Sequence, residues 1–127
     1  MKKTNLTLIW SVVAILIIAG IFFLIAQKNR EPGELDEFAV CLKDKGAVFY
    51  GAFWCSHCQN QKKFFGNSAR LLSYVECSTP DGRGTLDVCK QKNVESYPTW
   101  EFADGSREVG EVSLQRLAEK TGCQLTQ

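Results

Sequence analysis

Cys55-Ser56-His57-Cys58 is the part of the chain whose residue types and spacing can do chemistry. Two cysteines separated by two residues can cycle between dithiol and disulfide, and the apolar run Ala47-Val48-Phe49-Tyr50-Gly51-Ala52-Phe53-Trp54 places them where a strand gives way to a helix. At the start of that helix, unpaired backbone N–H groups and the helix dipole favour a thiolate on Cys55. Cys55 is therefore the expected nucleophile. His57, the single histidine of the chain, offers a donor or partial positive charge beside the Cys55 sulfur, which would stabilise the reduced form and make the disulfide more oxidising. The competing use of a CxxC is half a zinc site, which needs two more ligands. Cys77, Cys89 and His57 are the candidates, but His57 lies inside the motif and no second CxxC or HxxxH exists, so no metal is expected.

The elements that position the motif follow from periodicity. Leu35, Phe38, Ala39 and Leu42 recur at helical spacing, with Gly46 as a stop. Ala47 to Trp54 reads as a buried central strand with Gly51 a point of close approach, and a helix runs from Cys55 towards Phe65 and Gly66. Leu71 to Cys77 predicts a second strand, 78–84 a loop dense in turn formers, Leu86 to Val94 a short helix, and Thr99 to Ala103 a strand turning at Asp104-Gly105 into Arg107 to Gly110. Ser113 caps a last helix, Leu114 to Lys120, ended by Gly122. The order is αβαβαββα, an α/β class. Phe49, Phe53, Phe64, Phe65 and Trp100 are expected to pack the interior, and Lys62 and Lys63 to form a solvated helix face.

Ahead of these elements, Leu6 to Ala26 is almost wholly apolar, and no charged residue falls between Lys3 and Lys28. At about 1.5 Å per residue a helix of that length crosses a hydrocarbon core of roughly 30 Å. It is longer than the apolar region of a cleaved signal peptide, about 7–15 residues, and no clean Ala-x-Ala follows it. The expected organisation is a flank at 1–5, a transmembrane anchor at 6–26, a linker at 27–34 around Glu31-Pro32-Gly33-Glu34, and a catalytic domain at 35–127. Basic residues flank the span on both sides, so charge alone does not orient it. Six cysteines in so short a chain favour an oxidising compartment, which puts the domain on the periplasmic or extracellular side of the cell membrane. Beyond residue 30, eleven basic and fourteen acidic residues give a net −3, which argues against nucleic acid as a partner. With 45% hydrophobic and 23% charged residues, a folded domain is expected rather than a disordered one.

The strand leading into Trp54-Cys55-x-x-Cys58, followed by Tyr97-Pro98-Thr99 opening a hairpin, resembles the thioredoxin superfamily over roughly 35–123. The segments Gly51-Ala52-Phe53-Trp54-Cys55-Ser56-His57-Cys58-Gln59, Tyr74-Val75-Glu76-Cys77-Ser78 and Tyr97-Pro98-Thr99-Trp100-Glu101 look like the thioredoxin-like domain fused to bacterial homologues of vitamin K epoxide reductase. Here that domain would stand alone on its own anchor. The resemblance implies a central mixed sheet flanked by helices, and no cofactor beyond the redox-active Cys55–Cys58 disulfide. Its implied partners are cysteine-containing exported proteins and a quinone-linked membrane oxidoreductase of the vitamin K epoxide reductase type. It also implies that Cys58 resolves the mixed disulfide that Cys55 forms, and that a cis Pro98 lies opposite the motif, with Tyr97 and Thr99 flanking a substrate groove. Trp54 either shields the sulfurs or packs in the core.

The Cys-x-His-Cys pattern is also similar to that of DsbA-type oxidases, with Ser56 where those commonly have Pro. Many thioredoxins carry a buried acid six residues before the first cysteine, and that position is Phe49. A water, or an acid from elsewhere such as Glu101, then has to take the Cys58 proton. The other four cysteines, Cys41, Cys77, Cys89 and Cys123, allow three pairings. The topology and the extra cysteine pair of the fused domains favour Cys77 with Cys89 as a local staple and Cys41 with Cys123 across the domain. A second redox pair at Cys77 and Cys89, relaying electrons to the motif, is the alternative.

Overall fold

The computed structural model describes residues 2–28 and 31–125, so Met1, Thr126 and Gln127, and Asn29 and Arg30 of the expected linker, lie outside the described residues. The chain forms two units, Met1–Glu31 and Pro32–Gln127. The first is a single helix, α1 (Lys2–Lys28), whose stretch Thr7–Gln27 is long and apolar enough to cross a membrane. Leu8, Trp10, Ile15, Phe22 and Leu24, which lie on different sides of this helix, are all exposed, whereas a helix of a soluble domain would bury an apolar stripe.

The second unit is built in the order α2 (Asp36–Asp44), β1 (Val48–Gly51), α3 (Ser56–Phe65), a 3-10 turn (Gly66–Leu71), β2 (Tyr74–Glu76), α4 (Asp87–Gln91), β3 (Thr99–Glu101), β4 (Arg107–Val109) and α5 (Leu114–Thr121). The four strands form one mixed sheet in the order β2-β1-β3-β4, with β1 parallel to β2 and antiparallel to β3. The parallel pair needs a crossover, and α3 supplies it.

Several elements are shorter than their patterns suggest. β1 stops at Gly51 rather than reaching Trp54, because the chain turns there and the Cys55 N–H donates to the Ala52 carbonyl at 3.0 Å. Phe53 and Trp54 are thereby thrown outward, 48% and 56% exposed, so Phe53 is not an interior residue. Phe64 is likewise exposed, to the side of the face of α3 that buries Cys58, Gln61 and Phe65. Leu71 closes the 3-10 turn and β2 begins only at Tyr74, while α4 ends at Gln91, before Asn93 adopts a positive φ of 52°.

Alternation along β1 sends Phe49 and Tyr50 to opposite faces of the sheet. Phe49 stacks on Trp100 of β3 at 5.0 Å, and Phe65 packs against both Trp100 and Phe38 of α2. These rings, with Leu42 and Leu117, fill the larger core. Tyr50 enters a smaller cluster with Cys77, Cys89 and Val94 on the other face. Two disulfides close the unit: Cys41 of α2 with Cys123 just past α5, and Cys77 after β2 with Cys89 on α4. Cys77 and Cys89 are fully buried and bonded to each other, which leaves Cys55 and Cys58 as the two free cysteines.

Candidate active site

Cys55 occupies the N-cap of α3 in extended backbone, and its sulfur accepts the Cys58 N–H at 3.1 Å. The cap thus points one of the helix's orphan N–H donors at the atom that must carry negative charge. Cys55 and Cys58 are the two free cysteines; Cys55 is 6% and Cys58 1% exposed. Burial, followed by the hydrogen bond with Cys55, pushes the Cys58 thiol up to about 12 from its ordinary 9.0. The two sulfurs therefore have distinct environments: one at the mouth of the site under a backbone donor, the other behind it and kept protonated.

An open groove of about 540 Å³ runs beside Cys55, lined by Trp54, Ser56 and His57 on the motif side and by Glu95, Ser96 and Tyr97 on the other. The Tyr97–Pro98 peptide bond is cis and Pro98 is fully buried, its carbonyl accepting the Gly110 N–H at 2.8 Å. Tyr97 meets the Trp54 ring edge-on at 6.1 Å, and the Trp54 indole donates to Ser78 Oγ at 2.8 Å. Trp54 is thus a wall of the groove and not a core residue. Thr99 is buried and does not line this groove, its hydroxyl donating to the Ser96 carbonyl at 2.7 Å.

His57 turns its Nδ1 to Oε1 of Glu111, 2.6 Å away, and Asn60 reaches the same oxygen at 3.4 Å. The hydrogen bond from His57 is the main reason the Glu111 carboxyl sits below its ordinary range. Glu111 is delivered by its neighbour Val112, whose N–H and carbonyl both bond the fully buried Gln61 side chain, at 2.7 Å and 3.0 Å. Neither Glu111 nor Gln61 stands out in the sequence, because each lies 51 or more residues from its partner.

Behind the motif, Gly51 lets two side chains approach. A Cβ placed there would fall 2.9 Å from the Tyr74 ring, closer than real contacts permit, and 3.1 Å from Cys58 Sγ, tighter than most. The Tyr74 hydroxyl donates to Glu76 Oε2 at 2.7 Å, and Lys62 Nζ stands 3.4 Å from the centre of the Tyr74 ring. Lys62 is therefore engaged rather than part of a solvated face. Glu101, the acid suggested for the Cys58 proton, is held instead by Arg107 and Lys92, against the Val48 end of β1 that is farthest from the motif. Burial works against its charge, yet those two cations keep its carboxyl below the usual range.

A buried dithiol capping a helix after a central strand, with a cis proline across the groove, is accompanied by similarity to known proteins. A family model described as Thioredoxin matches residues 34–122. Thiol-disulfide oxidoreductase LTO1 of Arabidopsis thaliana is 48% identical over 91 residues, which cover 68% of this chain and 24% of that protein. The chain thus spans about a quarter of that relative's length. On the fold, the motif and the family match together, the chain belongs to the thioredoxin family.

Proposed function

We propose that the protein is a membrane-anchored thiol–disulfide oxidoreductase that exchanges disulfides with cysteines of exported proteins, working as an oxidase. The observation that carries this reading is the asymmetry of the two thiols: Cys55 capped by the Cys58 N–H beside an open groove, and Cys58 buried behind it. In its oxidised form, a substrate thiolate attacks Cys55, and a mixed disulfide forms as Cys58 leaves with the electron pair. A second substrate thiolate then displaces Cys55, so the substrate gains a disulfide and the protein becomes the dithiol. The electrons reside in the Cys55–Cys58 pair itself, with no further cofactor.

Extracytoplasmic placement is supported by the disulfides Cys41–Cys123 and Cys77–Cys89, which persist in oxidising compartments, and by the apolar helix Thr7–Gln27. Reoxidation requires an electron acceptor. The resemblance to domains fused to vitamin K epoxide reductase homologues makes a quinone-linked membrane enzyme of that type the proposed partner. The similar plant protein extends well beyond the matched quarter of its length, as such a fused arrangement would require.

A reductase or isomerase is the second reading, favoured by one observation. The Glu111 carboxylate, 2.6 Å from His57 Nδ1, puts a negative charge beside the ring whose partial positive charge would make the pair oxidising. The reduction potential divides the two: near about −120 mV for an oxidase and near about −270 mV for a reductase. A Cys58→Ala variant is expected to trap mixed disulfides with exported proteins, and one that traps none overturns the exchange reading altogether.

A further inference from the structure

Resting on that exchange reading, the surroundings of Cys58 show how its proton is handled. Cys58 must attack as a thiolate to resolve a mixed disulfide, yet it is buried and so needs a group nearby to take its proton. Both Cys58 Sγ and the Tyr74 hydroxyl oxygen lie close to the point where a Gly51 Cβ would be, at 3.1 Å and 3.3 Å. The two atoms are therefore no farther apart than the sum of those distances, within the reach of one bridging water. Phe49 holds the Tyr74 ring edge-on at 5.1 Å. The hydroxyl donates to Glu76 Oε2, while Glu76 Oε1 accepts the Phe53 N–H at 3.2 Å and the Ser78 N–H at 2.9 Å. The carboxylate is thus fixed by the turn that carries the motif, with no cation within ion-pair distance among the described residues.

We propose that Tyr74 and Glu76 form the proton path of Cys58, with Lys62 as a positioning residue that holds the Tyr74 ring. The Cys58 thiol gives its proton to the Tyr74 oxygen as Tyr74 gives its own to Glu76 Oε2, leaving a thiolate, a neutral tyrosine and a protonated glutamic acid. The thiolate attacks Cys55, the Cys55–Cys58 bond forms, and the bond from Cys55 to the other thiol breaks, its electron pair leaving with that thiol. Glu76 then returns its proton to solvent. Burial, and next the bond to Glu76, hold the Tyr74 hydroxyl well above its ordinary range, so it relays rather than ionises. The titratable groups facing this path are Cys55 and Lys62 from α3 and its cap and Glu76 from β2; β1 contributes Phe49 and Gly51, and the turn after it Ala52, none of which titrates.

Ellman's reagent separates the two steps in the reduced full-length protein, because attack by Cys55 releases one thionitrobenzoate and resolution by Cys58 releases the second. Tyr74→Phe and Glu76→Gln are expected to leave the first release within about twofold and to slow the second at least about tenfold near neutral pH, within the range of general base catalysis. The deficit should shrink as pH rises and solvent takes over as base. Glu76→Gln keeps an oxygen for the Phe53 and Ser78 N–H groups, so it tests the charge without freeing the turn. Lys62→Met is expected to slow only the second release, by about two- to fivefold, the scale of one partly exposed charge. Wild-type resolution in both Tyr74→Phe and Glu76→Gln across the pH range overturns the proposal, as does an equal slowing of both releases. If the wild-type protein gives no second release, the exchange reading itself fails.

Discussion

His57 Nδ1 and Glu111 Oε1, 54 residues apart in the chain, lie 2.6 Å from one another and tie the redox motif to the loop before α5. The only histidine of the motif is thus partnered by a carboxylate, and 69% of its side chain faces solvent. An exposed charge acts weakly, by about 0.2–1 kcal/mol. His57→Ala is therefore expected to lower the reduction potential by no more than about 20 mV, since about 30 mV corresponds to 1.4 kcal/mol in this two-electron couple. A redox titration against glutathione reads this directly, and a drop beyond about 60 mV would place His57 in direct control of the Cys55 sulfur.

The buried Cys58 makes stability of the reduced protein depend on pH. Its thiol is raised from 9.0 to about 12 by burial, so the fold holds the proton more tightly than the unfolded chain does. That contribution is fully present below about pH 9 and is lost as pH climbs through about 12. Reduced wild-type protein should lose Tm across this window more steeply than Cys58→Ala. Parallel curves would show that burial does not act on this thiol.

Removing the Cys41–Cys123 bridge is expected to cost more than removing Cys77–Cys89. The bridged residues are separated by 82 and 12 positions, and loop closure entropy then gives about 4–5 and about 3 kcal/mol. Urea unfolding of the two double alanine variants measures both. Cys55 should react with Ellman's reagent at an unchanged rate in each, and a Cys77/Cys89 variant that lost exchange would revive the relay role for that pair.

Gln61→Leu should destabilise the domain by roughly 2–4 kcal/mol, because it leaves both the N–H and the carbonyl of the buried Val112 without a partner. The same change loosens Glu111, so a rise in the mobility of His57, seen by NMR relaxation, should accompany it. A loss below about 0.5 kcal/mol would mean that water replaces the glutamine at little cost.

The elements were legible where their causes are local. The spacing of Phe38, Ala39 and Leu42 makes α2, Ser113 caps α5 by accepting the Arg116 N–H, and Gly122 ends it with a φ of 73°. The apolar stretch within Leu6 to Ala26 depends on composition alone, and the CxxC at a strand-to-helix switch needs nothing beyond neighbouring residues to be read as a dithiol. Strand ends were less legible, since whether Phe53 and Trp54 continue β1 depends on the turn at Ala52, not on their own strand preference.

What the sequence by itself determined is the chemistry available: two thiols at a helix start, an apolar helix ahead of them, and an α/β order of elements. What only the tertiary structure decided is which side chains attend those thiols. The parallel register that sets Gly51 against Glu76 and Phe49 against Tyr74 brings Tyr74 behind Cys58, where the missing side chain of Gly51 leaves room. The packing of α3 lays Lys62 over the same ring, and Gln61 carries Glu111 to His57. Hydrophobic periodicity tells a residue which face it occupies within its own element. The register and packing that join distant elements depend on the whole core at once, so Tyr74, Glu76 and Glu111 gained their places only when the chain folded.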